Sequence, residues 1–391
     1  MNKLICISKL LVFNKENMLQ SESLKILDEL YDNDIQAAIV AKKQSILKMK
    51  EQLPSEYKEK VIFFERGLKK NKTTIQEIKK NEKVIICMVG IVDEDAIFSF
   101  NCKIPLFNIE KLISNPSNIS EKVKKYGLPV NKFQDIIDCM KAFDVHKTNY
   151  FQMNFGNRFT IMSLNNANYY YKPKEEVRIK EIFQANLKGD VESRDQKVLL
   201  LLLFNLISEI STSQNFDEVD YWGTFPSSDP QNTDTATRFI KESIRHIEGG
   251  KPNNGPELLI RKQKTEPKHK SGNSRTMYKC ENDFESLIIN PQLIDKIEGK
   301  VVCIIDDYIT NGYSAESAKH LFLKANVKKL IFISIGKFGT DYYSTNYTLD
   351  GDITSKYKSS FKNEVLYNKM NNGINFNFEN DKSILEYADY L

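Results

Sequence analysis

Val301-Val302-Cys303-Ile304-Ile305-Asp306-Asp307-Tyr308-Ile309-Thr310-Asn311-Gly312-Tyr313-Ser314 is the stretch that decides the fold. Five apolar, mostly β-branched residues run straight into two acids, which predicts a buried parallel strand. A short loop with Thr, Gly and Ser follows, then a helical stretch from Ala315 to Ala325. Acids at the carboxyl end of such a strand stand where open α/β sheets take ligands. Hydroxyls, a glycine and backbone N–H groups at a helix start make a phosphate cradle. Together the two chemistries suit a ribose 5-phosphate. Asp306 and Asp307 would accept from the O2 and O3 hydroxyls, and residues 310–314 would hold the phosphate. An ordinary strand, turn and helix with a capping Asp is the plain alternative.

The stretch resembles the phosphoribosyl pyrophosphate signature of type I phosphoribosyltransferases: hydrophobic strand, acid pair, two residues, then Thr-x-Gly-x-Ser/Thr. The matching residues are Asp306, Asp307, Thr310, Gly312 and Ser314. Tyr308 replaces a usual small aliphatic, and Asn311 a usual Thr or Ser. The resemblance implies that Thr310, Asn311, Gly312, Tyr313 and Ser314 bind the donor. It also implies that Asp306 and Asp307 serve catalysis and Mg2+. In that family the loop after the first core strand holds pyrophosphate through backbone amides. Here the strand is Val219 to Phe225, and the loop begins Pro226, Ser227, Ser228, Asp229, with Arg238 reaching the same anion. No glycine or lysine marks this loop, so a surface turn is its alternative.

Glu257 to Ile260 predicts a further strand, followed by a long basic segment, Arg261 to Lys279, rich in Ser, Gly and Asn. Long loops in compact domains are lids or disordered segments. A basic lid suits a leaving pyrophosphate, because it brings cations to the developing charge and shuts out water. Strand, Arg, basic loop and later Arg resemble the ComF-like members of the family. That likeness makes Arg261 a substrate ligand and Lys264, Lys270 and Arg275 catalytic; a solvated charge run is the alternative.

Upstream, strands are expected at residues 4–13, 35–40, 61–64 and 84–89, with helices between them, a doubly wound pattern. The order of features over residues 1–110 is similar to the haloacid-dehalogenase-like (HAD-like) hydrolases. That family opens on a strand ending in Asp-x-Asp, a nucleophile and an acid/base. Here Asn14 and Glu16 hold those places, Ala41 stands at the second motif's hydroxyl, Lys72 at the family lysine, and Asp93 and Asp95 at the metal acids. An amide forms no aspartyl-phosphate, so the resemblance implies a domain without phosphatase activity. An unrelated Rossmann-like domain is the alternative.

The whole is expected to be α/β in two domains: a HAD-like Rossmannoid and a type I phosphoribosyltransferase-like parallel sheet with a basic flexible loop. Expected boundaries are 1–110, a connector and hood at 111–190, the transferase-like domain at 191–345, and a tail at 346–391. The hood contains a predicted hairpin, 150–155 with 159–164, and the aromatic run Tyr169-Tyr170-Tyr171, better suited to packing than to stacking a base. Net charge is only +4 and is spread along the chain, which gives no broad electrostatic case for nucleic acid. Six scattered cysteines without CxxC predict reduced, buried thiols in a cytoplasmic protein. The longest apolar run, Val198 to Phe204, is too short for a bilayer and predicts a core helix.

The expected partners are phosphoribosyl pyrophosphate with Mg2+, an unidentified base or nucleotide as nitrogen acceptor, no membrane, and a second copy or a protein or ribonucleoprotein through the N-terminal domain. The rival expectation is a non-catalytic sensor that binds this donor or a nucleotide. HAD–transferase fusions are similar to effectors of bacterial defence operons, including those beside retron reverse transcriptases.

Overall fold

The computed structural model describes residues 3–20, 23–67, 69–82, 84–145, 149–248, 256–265, 279–368, 375–376 and 378–391. The chain is mixed α/β and divides into two compact units, Met1–Asp144 with Ser243–Pro252, and Val145–Glu242 with Asn253–Leu391. Where residue 110 was the expected end of the first domain, the first unit continues to Asp144. No helix among the described residues is long and apolar enough to cross a membrane.

The first unit is built on β1 (Lys3–Ser8), β2 (Gln36–Ala41), β3 (Ile62–Glu65), β4 (Ile85–Gly90), β5 (Leu106–Asn108) and β6 (Leu128–Pro129). They form one sheet in the order β3-β2-β1-β4-β5-β6, and every pair is parallel. Leu4 to Ile7, Ala37 to Ala41 and Ile85 to Val89 are buried throughout, as a sheet covered on both faces requires. The order reverses between β1 and β4, a topological switch point.

One expectation fails at the start of this unit. The apolar run 4–13 is not a single strand: β1 ends at Ser8 and Lys9–Val12 turns helical. Apolar runs of this length are ambiguous between strand and helix. Asn14 therefore does not end the strand. It closes a tight turn, its Oδ1 accepting the Met18 N–H (2.9 Å) and its own N–H donating to the Met18 carbonyl (2.9 Å). Asp95 is also committed. Buried, it accepts the Ile91 and Val92 N–H groups (both 3.0 Å) and pairs with Arg66 (2.8 Å), so it caps the helix Asp93–Cys102. Asp93 pairs with Lys122, and Lys72 is exposed.

The second unit carries β7 (Phe151–Phe155), β8 (Phe159–Asn166), β9 (Tyr221–Thr224), β10 (Leu259–Arg261), β11 (Leu287–Ile289), β12 (Val301–Ile309), β13 (Lys329–Lys337), β14 (Tyr342–Asp352), β15 (Lys356–Tyr367) and β16 (Asn375–Phe376). Its main sheet runs β16-β7-β8-β13-β12-β9. β8, β13, β12 and β9 are mutually parallel, while β7 and β16 add antiparallel edges. The expected hairpin 150–164 exists, but it is not a separate hood, because β8 pairs directly with β13. Among the described residues β10 pairs with β11 and does not join the main sheet. The helix Gln196–Thr212 buries Val198 to Phe204 as expected. Tyr170 and Tyr171 are exposed rather than packed. The segment expected to be a tail begins inside the long hairpin β14–β15 and ends in a 3-10 helix, Phe378–Tyr390.

Candidate functional site

β9 and β12 are parallel neighbours, so their carboxyl ends open on one edge. Thr224 stands opposite Ile305, and the Phe225 N–H donates to the Ile305 carbonyl (3.0 Å). Residues 226–229 leave β9 there, next to the position where Asp306 follows Ile305. On its other flank β12 stays paired with β13 as far as Ile309 opposite Lys337. The acids therefore lie past the end of one neighbour but inside the ladder with the other, not at the strand tip.

Both acids are half-buried and tied to the backbone. Asp306 Oδ1 accepts the Asp307 N–H (2.9 Å) and Asp307 Oδ1 the Tyr308 N–H (2.5 Å). Asp307 Oδ2 pairs with Lys188, the last residue of the helix Lys174–Lys188. Nothing local in the sequence announces Lys188, because fold topology alone brings it to the acids. The departure at Tyr308 has a structural counterpart. Gly336 stands opposite it on β13, and a Cβ there would come within 2.7 Å of the Tyr308 ring. Burial, with Asp307 and Tyr169 adding to it, holds the Tyr308 phenol well above its usual range.

In the loop, Gly312 has φ 91°, a left-handed conformation that disfavours other residues. A Cβ there would also meet the Tyr342 ring at 2.3 Å. The helix Tyr313–Lys324 starts at the next residue, so its first N–H groups belong to the loop. The Tyr313 side chain is buried and stacks on Tyr343, centroids 5.7 Å apart. The Asn311 carbonyl accepts the Tyr343 N–H (3.0 Å). Buried Lys337 donates to the carbonyls of Thr310 (2.8 Å), Phe338 (3.3 Å) and Asp341 (2.9 Å). Burial pushes its amine down to about 7, with Asp341 opposing.

Beneath the loop, Glu316 is fully buried. It accepts from the Tyr342 hydroxyl (2.5 Å) and from Thr345 N–H (2.7 Å) and Oγ1 (3.0 Å), and it pairs with Lys319. This network clamps β14 onto the helix that carries the loop.

The second loop has its own support. Buried Arg261 donates to the Ser227 carbonyl (2.8 Å) and Ser286 Oγ (2.5 Å) and pairs with Asp283 (3.2 Å). Its guanidinium is buried and positions the 226–229 loop. Ser317 Oγ lies 3.1 Å from Asp283 Oδ2 and 2.8 Å from the Tyr313 carbonyl, so one polar chain joins both loops. Arg238 donates to the Thr233 carbonyl (2.8 Å) and faces Glu257 (3.7 Å), which also takes Lys241 (2.5 Å) and Thr224 Oγ1 (3.2 Å). Lys264 pairs with Asp229 (2.8 Å) and holds that carboxyl below its usual range. The Thr265 N–H donates to the Ser228 carbonyl (2.9 Å), so the basic segment starts against this loop. Lys270 and Arg275 lie outside the described residues.

Among the described residues no three His, Cys, Asp or Glu side chains group as a metal site. Compared with models of known families and with curated proteins, the chain matches none.

Proposed function

We propose that the second unit binds phosphoribosyl pyrophosphate with Mg2+ and transfers its ribose phosphate to a nitrogen acceptor. The observation that carries this reading is the shared edge of β9 and β12, with an acid pair beside two polar loops. Asp306 and Asp307 accept from the ribose hydroxyls. The 310–314 loop holds the 5-phosphate by backbone N–H groups with Thr310 and Ser314, and Pro226, Ser227 and Ser228 present amides and hydroxyls to the pyrophosphate. Two carboxylates suit Mg2+, which typically takes one or two of them and completes its shell with phosphate oxygens and water; when bound it neutralises charge on the leaving pyrophosphate. The nitrogen attacks ribose C1 as the bond to pyrophosphate breaks, and no enzyme nucleophile is required. The protein contributes positioning and charge stabilisation. Lys264, beside the 226–229 loop through Asp229, would meet the departing anion.

The second reading is a sensor or defence effector that binds the donor without turnover. It is favoured by one observation: Lys188 already occupies Asp307. Incubation with labelled donor, Mg2+ and a mixture of nucleobases, nucleotides and RNA separates the two. Label transfer with release of pyrophosphate supports the transferase; saturable binding without release supports the sensor; no binding removes both.

A further inference from the structure

We propose that Lys188 guards Asp307: it holds the carboxylate against free divalent cations and releases it to the metal that arrives on the donor. This rests on donor binding by the second unit. The end of the helix Lys174–Lys188 is fixed in place. Its Ile179, Phe183 and Leu187 are buried, and Phe183 meets the Tyr387 ring edge-on, centroids 5.4 Å apart. The helix stops at Gly189, whose N–H donates to the Ala185 carbonyl (2.7 Å). Arg194 donates to the Gly189 carbonyl from Nε (3.3 Å) and Nη2 (3.2 Å), and Asn186 Oδ1 accepts the Asp195 N–H (2.6 Å). The Lys188 backbone is thereby held, while its side chain, 44% exposed, keeps the freedom of a four-carbon stem.

Asp307 is the fixed partner. Its side chain is 18% exposed, its Oδ1 already accepts the Tyr308 N–H, and Lys188 takes Oδ2. Lys188 Nζ also lies 5.9 Å from the centroid of the Tyr308 ring, within reach of the ring face when it leaves the carboxylate. Charge then sets the competition. Asp306 and Asp307 are adjacent and half-buried, and without a ligand the ammonium is the cation that offsets their repulsion. A divalent cation arriving alone must expel Lys188 and then sit close to the displaced ammonium, which opposes binding. A divalent cation carried by a polyphosphate brings anionic oxygens with it, and the freed ammonium can turn to those. The same lysine therefore disfavours the bare metal and is close to neutral toward the metal–donor complex. A partly exposed ion pair is weak enough for this exchange.

The test measures bare metal and metal–donor complex separately on the full chain. Mn2+ stands in for Mg2+ at oxygen ligands, and its free ion is read by electron paramagnetic resonance. Phosphoribosyl pyrophosphate at saturating Mg2+ is titrated by calorimetry. Lys188→Met should bind Mn2+ alone about fivefold more tightly than the wild type, and the metal–donor complex within about twofold of it. Lys188→Arg keeps the charge but grips the carboxylate through a planar fork, so it should bind Mn2+ more weakly than the wild type. Mn2+ binding that is absent or unimproved in Lys188→Met would overturn the proposal. So would Lys188→Arg matching the wild type, which would leave a nearby charge without displacement, or an equal gain for bare metal and complex in Lys188→Met. If neither the wild type nor Lys188→Met binds the donor, the ribose-site reading itself fails and the guard falls with it.

Discussion

The two sheets use the same edge for different side chains. In the first unit, the residues following β1, β2 and β3 are Lys9, Lys42 and Arg66. In the second, β12 carries Asp306 and Asp307, and hydroxyl-rich loops follow β9 and β12. Parallel topology fixes where a ligand can sit in both, but not what it is. On the proposed function, the acids and polar loops of the second edge take a molecule with both hydroxyls and phosphates. The edges also differ in support. Asp95 and Arg66 anchor the first with one ion pair, whereas the second rests on the Glu316 network and the Arg261–Asp283–Ser317 chain.

That difference can be broken selectively. Glu316→Ala removes the acceptor of Tyr342 and Thr345 and leaves Lys319 without its buried partner. It should cost the second unit about 3–5 kcal/mol. Trp222, the single tryptophan, lies in β9 and makes urea unfolding of that unit visible by fluorescence. A loss below about 1 kcal/mol would mean that the network is not the support described.

A pH effect should follow in the same unit. Burial and Lys319 lower His320 to about 4, with the Thr345 carbonyl opposing. The unfolded chain takes this proton near pH 6.5 and the folded one only near 4, so between them the unfolded state holds more protons. Stability is therefore lost as pH falls from 6.5 towards 4, by about 3 kcal/mol, and this contribution is flat below. His320→Gln should flatten the Trp222-monitored curve over that window; an unchanged slope would remove His320 as its cause.

Lys264→Ala sharpens the contrast between positioning and chemistry. Its side chain is 71% exposed, so the Trp222 unfolding midpoint should not move. Turnover should fall about a hundredfold with little change in donor affinity, if the lysine meets the departing pyrophosphate. Equal losses in affinity and turnover would make it a ground-state contact.

The smallest effect comes from two glycines. Gly312 (φ 91°) faces the Tyr342 ring, whereas Gly67 (φ 88°) in the first unit has nothing within 4 Å of a built Cβ. Gly67→Ala should cost only the backbone term, about 1 kcal/mol, and Gly312→Ala roughly 1–3 kcal/mol. Denaturant unfolding of both variants, followed by far-ultraviolet circular dichroism, checks this; equal costs would mean that Tyr342 yields freely.

Much of the architecture was legible because parallel strands buried on both faces write continuous apolar runs, as at Ile35 to Val40 and Val301 to Ile305. The run from Leu4 to Phe13 misled because an apolar run of this length fits a strand or a helical turn, and Asn14 was misplaced with it. Gly312 and the acid pair were readable from local spacing. Lys188, Glu316 and Lys337 were not, since each acts on a distant segment across the fold. Arg261 was found as a cation, but its Ser227, Ser286 and Asp283 partners were not legible, because they come from distant segments.

The central claim is that Asp306 and Asp307 receive a ribose donor. Titrating phosphoribosyl pyrophosphate with Mg2+ into the wild-type chain and into Asp306→Asn/Asp307→Asn tests it most directly. Saturable binding by the wild type, weakened at least tenfold in an equally folded double variant, is the predicted result. Equal affinities, or no binding by either protein, would contradict it.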